Sequence, residues 1–189
     1  MQICEANITE IKQKDVSRLE TKIKQLENDL LQAKLYSRKG NLLVYGIPDH
    51  EKNVDDATRK FFVKRLGIAQ DRADRMLFVN IHRLPRMNKE SLGPVPIIIK
   101  FVQMADRDLV LQSAYRNAAT LSKEKISVQT DLPPELKFLR HKLRQRALHL
   151  RKSRNLLTRI EERGTSIRLK YRRNSADQWS ELTLDDPDP

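Results

Sequence analysis

Asn41-Leu42-Leu43-Val44-Tyr45-Gly46-Ile47-Pro48 is the segment on which the fold turns. A short apolar run closed by Gly and Pro reads as a buried strand ending in a turn. It begins just after Gly40, where a stretch free of Gly and Pro over residues 1–39 stops. Downstream, Asn53 stands where a helix cap is needed. Asp55 and Asp56 fall in the first turn of that helix, Ala57, Phe61, Phe62 and Leu66 form its buried side, and Gly67 ends it. Residues 76–84 alternate as a second strand, which places Leu77, Val79 and Ile81 on one face and Phe78, Asn80 and His82 on the other. A basic loop with Arg83, Arg86 and Lys89 leads to a third strand, Val95 to Val102, then to a helix from about Ala105 to Leu121 and a fourth strand, Ile126 to Gln129. The expected class is α+β, with a split βαββαβ domain over residues 40–130.

Upstream of this domain, Val16, Leu19, Ile23, Leu26, Leu30 and Ala33 recur at alternating steps of three and four, the spacing of coiled-coil a and d positions. Cys4, Ile8 and Ile11 keep the rhythm one residue out of frame. Residues 1–39 are therefore expected to be an oligomerisation helix, the alternative being one amphipathic helix packed on its own domain. Downstream, Asp131-Leu132-Pro133-Pro134-Glu135 punctuates the chain, because a proline pair fits a linker or a first helical turn but not a helix interior. A helix follows, with Leu136, Leu139, Leu143, Ala147 and Leu150 on one side and Lys137, Arg140, Arg144 and Arg151 on another. After Gly164, Ile167, Leu169 and Tyr171 alternate with Arg168 and Lys170 as a half-buried strand. Residues 131–174 thus read as a small basic α/β domain, and residues 175–189, acidic and without a cation, as a disordered tail.

The charge points to the partner. The 189-residue chain carries a formal net charge of +12, and no acid occurs over residues 136–160. Such an excess favours a polyanion. One cysteine supports neither an internal disulfide nor a zinc site. The four histidines lack ligand spacing, and neither a Gly-rich phosphate loop nor a clustered carboxylate set is found, so no catalysis, metal or cofactor is expected. The N-terminus has no basic, apolar leader and no apolar run is long enough for a bilayer, so a soluble intracellular protein is expected, without membrane attachment. Tyr45, Phe78 and His82 read either as base-stacking side chains on one sheet face or as packing residues, while Lys100 is expected on that same face beside Ile98.

The chain resembles the first open reading frame protein of long interspersed (LINE) retrotransposons. The likeness rests on Asn41 to Pro48, on Ile81-His82-Arg83-Leu84-Pro85, on Ile98-Ile99-Lys100-Phe101, and on Asp131 to Glu135 with the following Arg140. It covers nearly the whole sequence. It implies a coiled coil, an RNA-recognition motif (RRM) of non-classical type and a C-terminal domain. It further implies a homotrimer that coats single-stranded RNA, acts as a nucleic-acid chaperone also on DNA during strand exchange, and forms a cytoplasmic ribonucleoprotein with access to the nucleus. By the same likeness Arg83, Arg86, Lys100, Arg116 and Arg140 hold the RNA backbone. The competing reading is a domesticated adaptor that keeps the coil and the fold for protein partners.

Overall fold

The computed structural model describes residues 2–49, 53–86, 93–184 and 186–188, with residues 2–12 as helix backbone alone. Lys89 and the side chains of Cys4, Ile8 and Ile11 lie outside the described residues. The protein is α+β, with a long N-terminal helix and two antiparallel sheets, and it divides into two units: residues 38–131, and residues 1–37 together with 132–189.

In the first unit the chain order is β1 (Asn41–Tyr45), α2 (Val54–Lys64), α3 (Gln70–Arg75), β2 (Phe78–Arg83), β3 (Ile97–Phe101), α4 (Met104–Arg116), α5 (Ala118–Lys123) and β4 (Ser127–Thr130). The sheet order is β2-β3-β1-β4, antiparallel throughout. Alternation along β1 and β3 sends Leu42, Val44, Ile97 and Ile99 into a core that Phe61 and Phe62 of α2 and Val110 of α4 complete. Asn53 caps α2 as expected, its Oδ1 accepting from the backbone N–H of Asp55 at 3.0 Å and of Asp56 at 3.3 Å. Gly46 turns the chain at φ +89°, and a Cβ there would run into the carbonyl of Lys125, so the turn after β1 needs glycine.

Two expectations for this unit are corrected. The strict alternation over residues 76–84 fails, because the register shifts between Phe78 and Asn80. That bulge turns Phe78 into the core beside Ile81 and leaves Leu77 and Val79 exposed. Phe78 then packs edge-on to Phe101, with ring centroids 5.3 Å apart, and to Phe62 at 6.4 Å. The single helix expected from Ala105 to Leu121 is two, α4 and α5, parted at Asn117, whose Nδ2 donates to the carbonyls of Ser113 and Leu66. Two buried carboxylates fasten the unit. Asp106 at the start of α4 pairs with Arg72 of α3, and Asp131 takes Arg38 Nη1 at 3.0 Å and Asn41 Nδ2 at 3.0 Å.

The second unit holds most of α1 (Gln2–Arg38), then α6 (Pro134–Arg154), β5 (Leu157–Arg163), β6 (Ser166–Arg172) and β7 (Ser180–Leu182). Pro134 sits in the first turn of α6 and left-handed Asn155 ends it. Leu136, Leu143, Ala147 and Leu150 of the helix pack on Ile167 and Leu169 of the strands. The tail expected to be disordered contributes β7, because Leu182 is buried opposite Leu169 and Arg146 of α6 binds the carbonyls of Thr183 and Asp186. The far end of α1 also joins this core through Leu31 and Leu35, with Lys34 paired to Glu135. The heptad stripe lies off that contact. Val16, Leu19, Ile23, Leu26 and Leu30 are 53–59% exposed along it.

Phe62 is fully buried at the centre of the aromatic cluster. Phe62→Ala should cost about 3–5 kcal/mol of stability in the first unit, read as a lowered urea midpoint.

Candidate nucleic-acid interface

Strand register fixes which side chains share the face of the four-stranded sheet turned away from the helices. Asn80, Lys100 and Asn41 stand opposite one another in one cross-strand row, and His82, Ile98, Leu43 and Gln129 in the next. Lys100 is exposed and has no hydrogen bond or ion pair among the described residues, so its ammonium is available to a ligand. The three aromatic candidates part company. Phe78 belongs to the core, Tyr45 is half-buried and interacts with a neighbour, and His82 is exposed with Nδ1 3.2 Å from Asn80 Oδ1.

Arg83 and Arg86 come together, and what joins them is a carboxylate. Asp49 binds Arg83 at 2.8 Å and Arg86 at 3.1 Å. Arg83 also donates to the carbonyls of Ile47, Pro48 and Val95 at 3.1, 2.5 and 2.9 Å, so its donors tie the turn after β1 to the loop segment that leads into β3. With a side chain 16% exposed, this arginine holds the scaffold before it can hold a phosphate. Arg116 is exposed at the end of α4, on the helical layer and away from the Lys100 face. A shallow cleft between the turn after β1 and α2 is lined by Gly46, Phe61, Lys60, Lys64, Arg65 and Ile126, and there Arg65 pairs with Glu124 at 3.1 Å.

In the second unit, Lys137 is exposed and has no ion pair among the described residues, while Arg144 is exposed and engaged by a neighbour. Arg140, expected on the cationic side of the helix, binds Glu162 of β5 at 2.8 Å with a side chain 12% exposed. Arg168 and Lys170, together with Arg159, Arg163 and Arg172, lie on the outer face of the β5-β6-β7 sheet, opposite the face that carries Ile160, Ile167 and Leu169. There Glu161 accepts from Lys170 at 2.7 Å and Arg163 at 3.3 Å and forms a longer ion pair with Arg159 at 3.8 Å, and Glu181 accepts from Arg168 at 2.9 Å. The hydrogen bond from Lys170, reinforced by the charges of Arg163, Lys170 and Arg159, holds the Glu161 carboxyl below the ordinary carboxylate range.

On the same face, the Trp179 ring meets two guanidiniums, those of Arg159 and Arg172, each 4.5 Å from its centroid. Sequence reading missed Arg159, Arg163, Arg172 and Trp179, because β5 carries too many charges to show a strand's alternation. The only signal was a lone tryptophan beyond a basic run.

Among the described residues no group of three or more His, Cys, Asp or Glu is placed to hold a metal ion, and no helix is long and apolar enough to cross a membrane. Comparison with protein-family models and with curated proteins returns no match.

Two predictions separate scaffold cations from available ones. Arg83→Ala should destabilise the first unit by about 1–3 kcal/mol, since it strips three carbonyls and Asp49 of their donor, while Lys100→Ala should stay within about 0.5 kcal/mol of the parent. Urea midpoints of the two variants test this. The Glu161 carboxyl titrates lower in the folded chain than in the unfolded one, so its contribution is complete above the ordinary value of 4.5 and is lost as pH falls through the folded value. The second unit should accordingly weaken on acidification below pH 4.5, and Glu161→Gln should blunt that fall in stability-versus-pH curves.

Proposed function

We propose that the chain is a non-enzymatic, single-stranded RNA-binding protein of the LINE first-open-reading-frame type. In this reading it combines an RRM-like unit, a basic C-terminal unit and an N-terminal helix that joins three copies into a nucleic-acid chaperone and assembles a retrotransposon-type ribonucleoprotein. The observation that carries the reading is the sheet order β2-β3-β1-β4, with β1 and β3 central and the helices packed on one side. That is the layout in which an RRM presents its two middle strands to unpaired bases. Lys100, Arg116 and Lys137, exposed and without carboxylate partners among the described residues, support a polyanionic ligand.

With Phe78 turned inward, aromatic side chains on the sheet are few. Phosphate contacts then carry the affinity and leave bases free to pair. The exposed heptad stripe supports self-association, and the preference for three chains comes from the family likeness. Several basic units on one coil hold a strand at many weak contacts, each opening and reclosing while the others retain it, which speeds annealing and strand exchange without a nucleoside triphosphate. Its place would be a cytoplasmic ribonucleoprotein that reaches the nucleus.

The test keeps the full chain, because removing α1 would strip Leu31 and Leu35 from the second core. Light scattering should give a trimer, and charging the stripe with Leu19→Asp, Ile23→Asp and Leu26→Asp together should give a folded monomer, since none of the three touches either core. At equal subunit concentration that monomer should anneal complementary strands on the order of tenfold or more slowly. RNA affinity should fall steeply with salt, and Lys100→Ala should lower the slope of its logarithm by about 0.7, the share of one phosphate on a single strand. A monomeric parent chain would reject assembly, and a monomer that anneals at the parent's rate would reject the multivalent mechanism. Crosslinking in cells followed by RNA sequencing separates the element's own transcript from many transcripts. Recovery of protein partners and no RNA would favour the adaptor.

A further inference from the structure

We propose that the outer face of the β5-β6-β7 sheet is a second contact surface for single-stranded RNA, centred on the Arg159–Trp179–Arg172 stack. This rests on the RNA-binding reading above and adds a site to it. The first ground is charge. Five cations of β5 and β6 share this face with two carboxylates, and one of these, Glu161, is divided among three of the cations. Arg172 meets no carboxylate among the described residues, its hydrogen bond going to the carbonyl of Ser175 at 2.7 Å.

The second ground is register. Arg159 stands directly across from Lys170, and like charges in directly opposed strand positions repel. Glu161 is shared between the two and Glu181 stands across from Lys170, so a bound polyanion would add counter-charge where carboxylates are outnumbered. The third ground is geometry. Arg168, Lys170 and Arg172 alternate along β6, so their side chains recur every ~6.7 Å, two strand residues. That spacing is comparable to the separation of successive phosphates in an extended single strand. Trp179 holds two of the guanidiniums by cation–π contact, each 4.5 Å from the ring centroid, and guanidinium N–H groups are the donors that meet phosphate oxygens. With two guanidiniums held against it, the ring serves here to position the arginines.

Trp179 is the single tryptophan of the chain, so its emission reports on this face alone. The experiment titrates the full unaltered protein with a fluorescein-labelled single-stranded RNA of about twenty nucleotides, following the anisotropy of the RNA and the emission of Trp179 in parallel samples. Both signals should change with the same midpoint. Arg159→Ala with Arg172→Ala should weaken binding roughly tenfold and lower the salt slope by about 1.4, twice the share of one phosphate. Glu161→Gln should tighten binding several-fold, because it removes the carboxylate that competes with phosphate for three cations.

If anisotropy reports binding while Trp179 emission stays constant, this surface is excluded and the general RNA-binding reading stands. An absence of anisotropy change overturns both. A response of Trp179 to anionic phospholipid vesicles and not to RNA would also overturn the proposal, in favour of a lipid surface. The titration of the unaltered chain decides even if the double variant folds poorly.

Discussion

Twelve more cations than anions is the condition under which this chain folds, and the placement of its scarce carboxylates organises the rest. Two are buried and spent on fastening the first unit: Asp106 fixes Arg72, and Asp131 gathers Arg38 and Asn41. Asp49 draws Arg83 and Arg86 into the turn after β1, and Glu162 draws Arg140 onto β5. Each of these pairs takes an arginine out of the pool that a ligand could use. Among the described residues, Lys100, Arg116, Lys137 and the crowded outer face of the second sheet are some of the places where positive charge is left over.

The two cores follow different rules. In the first unit, alternation along β1 and β3 sets one face of the sheet against α2 and α4, and the bulge after Phe78 brings a third aromatic ring beside Phe62 and Phe101. The ring gained for packing is a ring lost for stacking on bases, which shifts any nucleic-acid contact toward phosphate. In the second unit the sheet is held on one side by α6 and carries cations on the other, so one strand pair serves packing and charge at once.

The long helix carries two separate apolar surfaces. Leu31 and Leu35 belong to the second core, while the heptad stripe up to Leu30 lies along a different side and stays exposed in the single chain. Successive helix residues point about 100° apart, so adjacent Leu30 and Leu31 serve different surfaces. The reading of this helix as one packed on its own domain holds at Leu31 and Leu35, and the stripe up to Leu30 takes no part in that packing.

Local patterns sufficed for much of this. Apolar runs flanked by Gly or Pro located β1 and β3, a capping asparagine located α2, and the proline pair located the start of α6, because each signal depends on residues within a turn or two of one another. The stripe on α1 and the surplus of basic residues were legible for the same reason. Tertiary structure decided what depends on partners distant in sequence. The bulge that turns Phe78 inward is set by pairing with β3, the break at Asn117 by a bond to Leu66, and β7 by the burial of Leu182 against β6. Above all, which arginines are held by carboxylates and which are free is invisible in composition. An ion pair such as Arg140 with Glu162, or a stack such as Arg159 with Trp179, exists only once the chain has brought residues about twenty apart to within a few ångströms.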